Sequence, residues 1–327
     1  MSIVMTNSNE AKVSKEDVVS RTPRQLAWVR FKSDRKTVVA AWMVLTFTVL
    51  ALLAPLLVAI GVLDPFTINQ DLIDPNSLPL GGWGGISWQH PLGVEPGTGR
   101  DTLSRVWLGL SYSLMIASSA ALLAVALGVV LGIIAGMAGG WTDTIVGRLI
   151  DLVLSFPQTL MLLALSSTII GFLTGVLKIP EGDTAHSVYV ILVLAVFGWP
   201  PVARLIRGQV ISLREREFID AANLFGASQS RLWFKEVLPN LWAPILVQFT
   251  LVLPAYVSAE AALSYLGISV IPPTPTIGNV MADSLRYASS DFLYFITPAA
   301  LLVAIVIAFN LLGDGLRDAL DPKTGRS

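Results

Sequence analysis

The chain has 327 residues, 54% hydrophobic and only 14% charged, with a net charge of −1 and no cysteine. Soluble domains carry about 25% charged residues, so a chain this apolar, with its apolar residues gathered in long blocks, reads as an integral membrane protein. The near-zero net charge offers no basic field for nucleic acid, and the lack of cysteine excludes disulfides, thiolate metal sites and cysteine nucleophiles.

Residues 1–37 are polar and read as a cytoplasmic tail that ends in a basic cluster of Arg21, Arg24, Arg30, Lys32, Arg35 and Lys36. The first apolar run, 38–63, is long enough to span and has no cleavage-site pattern, so it reads as an uncleaved first transmembrane helix. Residues 64–107 form an external loop rich in Gly, Pro and Trp, where turns outcompete a continuous helix. A bilayer core about 30 Å thick needs about 20 helical apolar residues. Beyond 38–63, the segments 108–138, 145–174, 187–210, 241–265 and 292–315 meet that need, giving six spans. Arg100, Arg105, Lys178 and Arg286 are the basic residues left outside when both termini lie in the cytoplasm. That asymmetry obeys the positive-inside rule. The domain reading is therefore a tail (1–37), a first helix (38–63), an external loop (64–107), a transmembrane domain (108–315) with a cytoplasmic loop at 211–240, and a C-terminal cytoplasmic tail (316–327).

Within the second span, Ala120, Ala124, Gly128, Gly132 and Gly136 recur every fourth position. This spacing keeps small residues on one helix face and lets another backbone approach. The partner helix lies either within this chain or in another subunit. Ionisable residues inside spans are costly and are functional candidates by default. Glu260 is the deepest, and it reads either as a buried hydrogen-bonded strut or as part of a translocation path. Arg148 with Asp151, and Asp314 with Arg317, are three apart and can pair along a helix. His90 and His186 are isolated in sequence, which disfavours a metal site. No Gly-Lys dipeptide occurs, so the phosphate cradle of a P-loop ATPase is missing. No catalytic residue and no cofactor site is expected on this chain.

The loop at 211–240 carries Asp220-Ala221-Ala222-Asn223-Leu224-Phe225-Gly226, nine residues, then Glu236-Val237-Leu238-Pro239. Its local physics is helix, glycine turn, helix. The segment resembles the EAA loop of ABC importer permeases, with Asp220 in place of Glu and Glu236 at the position of an Ile. His90-Pro91-Leu92-Gly93, Gly99-Arg100-Asp101, Arg148-Leu149-Ile150-Asp151, Phe156-Pro157, Leu263-Ser264-Tyr265-Leu266-Gly267, Pro272-Pro273-Thr274-Pro275, Gly278-Asn279 and the stretch from Phe309 to Asp318 extend the likeness. Together they are similar to the C-type subunit of dipeptide, oligopeptide and nickel permeases.

The resemblance implies an all-helical type I importer fold that moves peptides by alternating access, with nickel or another small chelate as the other cargo. It implies a second, B-type permease subunit, one or two ATPase subunits that bind ATP and Mg, and an external solute-binding protein, all at the cytoplasmic (inner) membrane. It implies ATPase coupling through Asp220, Ala221, Ala222, Leu224, Phe225, Gly226, Trp233, Leu238 and Pro239. The last external segment, with Pro272, Thr274, Thr276, Ile277 and Val280, would contact the binding protein. A transporter that works alone is the rival reading; it would need an ion-coupling constellation around Glu260 and would leave the cytoplasmic loop without a role.

Overall fold

The computed structural model describes residues 23–320. The basic Arg21, Lys323 and Arg326 lie outside the described residues. The chain is helical, and among the described residues the β-pairing consists of two isolated bridges, Ile73 with Pro79 and Val94 with Asp101.

Helix α1 (Pro23–Ser33) and helix α2 (Arg35–Ala59) meet at Asp34, which caps α2 by accepting from the backbone N–H groups of Lys36 and Thr37. The second half of the expected 1–37 tail is therefore helix, and the first span begins three residues earlier than the apolar run. Helix α3 (Thr102–Ala138) starts at Asp101, whose carboxylate accepts from Ser104 N at 2.7 Å. It therefore opens six residues before the expected boundary. Helices α4 (Gly140–Ser155), α5 (Gln158–Ala164) and α6 (Ser166–Gly175) occupy the expected third span. This span is broken: α4 and α5 bend by 76° at Phe156–Pro157. Proline has no N–H and disfavours a helical residue before it. Helix α7 (Asp183–Arg214) follows. Then come α8 (Glu217–Leu224) and the single turn α9 (Gln229–Arg231), which widens into a π-turn at Leu232–Val237. The chain closes with α10 (Trp242–Tyr265), α11 (Ile277–Ser284) and α12 (Phe292–Leu320).

Among the described residues five helices are long and apolar enough to cross a membrane, or six if the bent pair counts as one span. The long helices alternate in direction. One end of the bundle gathers the loop at 60–101 with residues 266–291, and the opposite end carries α8 and α9.

The small-residue stripe on α3 faces α7 of the same chain. A Cβ on Gly128 would lie 2.6 Å from Val202 Cβ, one on Gly132 2.8 Å from Ile206 Cβ, and one on Gly136 2.7 Å from Val210 Cβ. Ala120 and Ala124 are fully buried along the same line. Helix α10 packs on α3 and α12, and α12 packs on α2. Most of α2 stays exposed through apolar residues such as Val39, Leu45, Leu52 and Leu56, as a helix facing lipid or another subunit requires.

In place of the expected Arg148–Asp151 pair, α4 pairs with another helix. Asp151 of α4 accepts from Arg204 Nη2 of α7 at 2.7 Å, and Asp143 takes a two-pronged contact from Arg207. Arg148 is not the partner of Asp151, and Asp314 and Arg317 form no pair although both are exposed. The two-pronged Arg207–Asp143 contact and the Arg204–Asp151 pair tie α4 to α7.

Candidate functional site

The segment after α7 is built as a projecting corner. Ile219 of α8 is buried with Val210, Val237 and Leu241, so α8 is anchored along one side only. The helix ends in a Schellman motif: Gly226 N donates to Asn223 O at 2.9 Å, and Ala227 N donates to Ala222 O at 3.0 Å. Gly226 has φ 77 and takes the left-handed position that this motif demands. The spacing of Ala222 and Gly226 is thus the spacing of a helix end and its terminating glycine.

The turn pushes Leu224 and Phe225 outward to 88% and 92% exposure. Asp220 and Ala221 are exposed, Ala222 is half-buried, and Asp220 has no ion-pair partner among the described residues. Beyond the turn, Ser228 caps α9 by accepting from Arg231 N. Trp233 does not join the exposed surface: it packs against the buried Val210–Val237 cluster. Phe234, 67% exposed, points outward in its place, as Leu224 and Phe225 do. The π-turn at Leu232–Val237 adds a residue per turn, and such a turn shifts which side chain faces out. Val237 is fully buried and fills the apolar role beside Glu236, whose side chain lies 4.0 Å from Arg231. Leu238 is half-buried and Pro239 exposed at the entry to α10.

At the opposite end, Glu260 is fully buried. Its carboxylate accepts from Ser113 of α3, Ser264 of α10 and Ser269 of the following loop, each at 2.8 Å. Ser113 Oγ also accepts from Ile277 N at 3.0 Å, which ties the start of α11 to the same hub. Thr276 and Asn279 form a capping box, and Asn279 Nδ2 donates to Thr274 O and Val270 O. The 272–280 segment is thereby folded inward. Thr274, Thr276, Ile277 and Val280 are buried against their own chain, so they offer no surface for a docked protein; of the expected contacts, Pro272 is exposed. The reason is the capping box, which turns Ile277 and Val280 into the core. A cavity of about 680 Å³ opens beside this segment, lined in part by Tyr265, Ser269, Asp283 and Arg286.

Next to it lies an ionic cluster that sequence reasoning missed. Glu95, 3% exposed, accepts from Arg100 Nε at 2.6 Å, from Thr98 Oγ1 at 2.6 Å and from Tyr294 Oη at 2.9 Å, and faces Arg105 at 3.6 Å. Arg105 is fully buried, and its Nη1 donates to Pro273 O at 3.2 Å. Burial raises the Glu95 carboxyl, but the Arg105 charge and the Thr98 and Arg100 hydrogen bonds outweigh it, holding the group below its ordinary value. Asp283 is raised by its burial and by Glu95. The available signal was Arg105, an arginine flush against a long apolar run. The histidines are bonded rather than isolated: His90 Nδ1 lies 3.0 Å from Asp101, and His186 Nδ1 lies 3.1 Å from Ile268 O.

Comparison with known proteins places this geometry. Residues 128–326 match the family described as binding-protein-dependent transport system inner membrane component, and residues 22–79 match the N-terminal transmembrane domain of oligopeptide transport permease C. The chain is 33% identical over 303 residues to the dipeptide transport system permease protein DppC of Haemophilus influenzae, covering 93% of this chain and 96% of that one. It is 33% identical over 297 residues to the oligopeptide transport system permease protein OppC of Bacillus subtilis, with 91% and 88% covered. Among solved structures, an inward-facing MetNI methionine ABC transporter shares the fold with a TM-score of 0.50 at 19% identity, over 67% of this chain and 96% of that chain.

Proposed function

This chain belongs to the family of binding-protein-dependent transport system inner membrane components, as a multi-pass ABC permease of the OppC and DppC kind, and from that premise we propose that it carries peptides inward across the cytoplasmic membrane. The observation that carries the mechanism is the corner at Leu224–Gly226. Two apolar side chains almost fully out of the fold are penalised in water, and a helix end pinned through Ile219 holds them in fixed geometry. An ATPase subunit is the partner this corner suits, with Leu224, Phe225 and Phe234 filling a groove and Asp220 meeting a basic group. ATP and Mg are bound by that partner. Closure of two ATPase subunits moves the corner, and the corner moves α7 and the helices packed on it, which alternates access. No bond is made or broken on this chain.

In this reading the corner and both termini face the cytoplasm, and the loop at 60–101 with residues 266–291 faces the external solute-binding protein. The specificity for peptides is drawn from the relatives, which are peptide permeases by name. The test is purification of the complex in mild detergent. A second permease and ATPase subunits should accompany the wild-type chain. Phe225→Asp should insert normally, lose the ATPase subunits and abolish tripeptide import. Full retention of the ATPase by Phe225→Asp and by a Leu224→Asp/Phe234→Asp double variant would sink the docking assignment.

A further inference from the structure

Unpaired backbone at the depth of a bilayer core is tolerated only where protein buries it or where it lines a water-filled cavity. The bend between α4 and α5 is such a place. Across it, the carbonyl oxygens of Leu154, Ser155 and Phe156 accept no backbone hydrogen bond among the described residues, and the N–H groups of Gln158 and Thr159 donate none. Ser155, Phe156 and Pro157 are exposed, so the chain itself does not bury the break.

The depth of the break follows from its neighbours. A cavity of about 280 Å³ lies against it, lined by Phe156 and Gln158, by Phe197 and Gly198 of α7, and by Ala255 and Tyr256 of α10. Gly198 stands halfway along the 32-residue α7, and Ala255 and Tyr256 stand near the middle of the 24-residue α10. The Tyr256 hydroxyl is already committed, donating to Leu194 O at 3.0 Å. The unpaired carbonyls and N–H groups of the break and the Gln158 carboxamide are what remain to meet a polar molecule there. Glu260 is not in competition for that role, because three serine hydroxyls occupy its carboxylate and it has no exposure.

We propose that the break at Leu154–Gln158 is the midplane contact of the transport path, with its unpaired carbonyl oxygens, its unpaired N–H groups and Gln158 hydrogen-bonding the amide groups of the passing solute. This rests on the importer reading above and extends it to named atoms. In secondary transporters, discontinuous helices coordinate solutes and ions at mid-depth through freed backbone groups, and here a break of that kind adjoins a cavity. The contact offers acceptors and donors and carries no charge, which suits a solute bearing both C=O and N–H groups, as the backbone amides of a peptide do. It engages backbone features common to all peptides and leaves their side chains unread.

The native chain has no cysteine, so single cysteines report without background from this subunit. Ser155→Cys and Gln158→Cys are placed in the assembled importer in nanodiscs and labelled with a charged methanethiosulfonate reagent. Both should react at least tenfold faster than Val303→Cys on the exposed face of α12. Reaction at the control rate would overturn the proposal. Addition of binding protein loaded with trialanine should slow labelling severalfold. Fast labelling that trialanine leaves unchanged would keep the aqueous path and remove the peptide reading instead. Should the cysteine variants fail to assemble, Gln158→Leu and Gln158→Asn carry the test. Leu at wild-type assembly should reduce trialanine import at least tenfold, Asn should retain most of it, and wild-type import by the Leu variant would overturn the contact.

Discussion

Glu95 and Gly226 show what single residues do in this chain. Arg105, Thr98 and Arg100 hold the Glu95 carboxyl below its ordinary value despite burial, which acts first and in the opposite direction. The unfolded chain therefore takes up the proton at higher pH than the folded one, so the stabilisation is complete above the ordinary carboxylate value and disappears as pH falls through the folded value. The thermal midpoint of the detergent-solubilised protein should drop as pH falls below the ordinary carboxylate value, and Glu95→Gln should flatten that drop. Asp283, raised by burial, contributes with the opposite sign: its share is present at low pH and is lost as pH rises through its folded value. An unchanged pH profile in Glu95→Gln would remove Glu95 as the source. Gly226 has open space around its Cβ position, so its constraint is conformational alone. A side chain in the left-handed region costs about 1–2 kcal/mol. Gly226→Val should therefore leave membrane insertion intact and weaken ATPase stimulation by the binding protein, while Gly226→Asn should do so less. Equal stimulation in all three proteins would show that the Schellman geometry is dispensable.

At the scale of elements, the α3–α7 seam and the π-turn separate what a one-dimensional pattern reveals from what it conceals. The four-residue recurrence of Ala120 through Gly136 is visible in sequence because small residues on one face are what close helix approach needs. Which helix approaches is not visible, since any apolar helix would satisfy the pattern. Even an alanine is too large here: a Cβ on Gly132 would also lie 2.9 Å from Ala203 O. Gly132→Ala should cost about 1–3 kcal/mol by overpacking, and Gly132→Leu should prevent assembly. Gly147→Ala, with open space around its Cβ, should be silent. Thermal unfolding of the three purified variants checks this, and a Gly132→Ala midpoint equal to that of Gly147→Ala would contradict the seam. Trp233 illustrates the opposite case. Its apolar character suggested a docking surface, yet one widened turn directs it inward and Phe234 outward, and a turn of that kind has no sequence signature. Trp233→Ala should lower the thermal midpoint, whereas Phe234→Ala should keep the midpoint and weaken ATPase retention. The reverse outcome would mean that the two aromatics had exchanged roles.

For the molecule as a whole, the spans were legible because the bilayer imposes length and apolarity on them. Their boundaries moved where a polar cap, Asp34 or Asp101, extends a helix beyond its apolar run. The break at Phe156–Pro157 was present in sequence as a proline within an apolar block, but prolines at 55, 200, 201, 254 and 298 sit inside continuous helices. Tertiary support, not the residue type, decides which proline interrupts. In the ionic cluster around Glu95 the contact to Tyr294 was illegible because it joins residues about 200 positions apart, whereas Arg100 and Arg105 lie close to Glu95 in sequence. Orientation is open to direct measurement: Trp88→Cys should react with an impermeant maleimide in intact cells, and Ser230→Cys should react only after the membrane is opened. Both positions are exposed in the fold, and reversed accessibility would invert the topology. The α3–α7 seam also has a mechanical meaning. Helix α7 runs without interruption from the base of the proposed docking corner to the far end of the bundle, about 48 Å at 1.5 Å per residue. Its weakest point is Pro200–Pro201, and Gly128 brings α3 directly against Trp199 O and Val202 there. The glycine seam is thus a splint over the joint of a lever. A tilt of about 5° at the corner carries the distal end of a rod of that length about 4 Å, so under the proposed coupling a small motion at the corner would reach the far end of the bundle rather than be absorbed at the prolines.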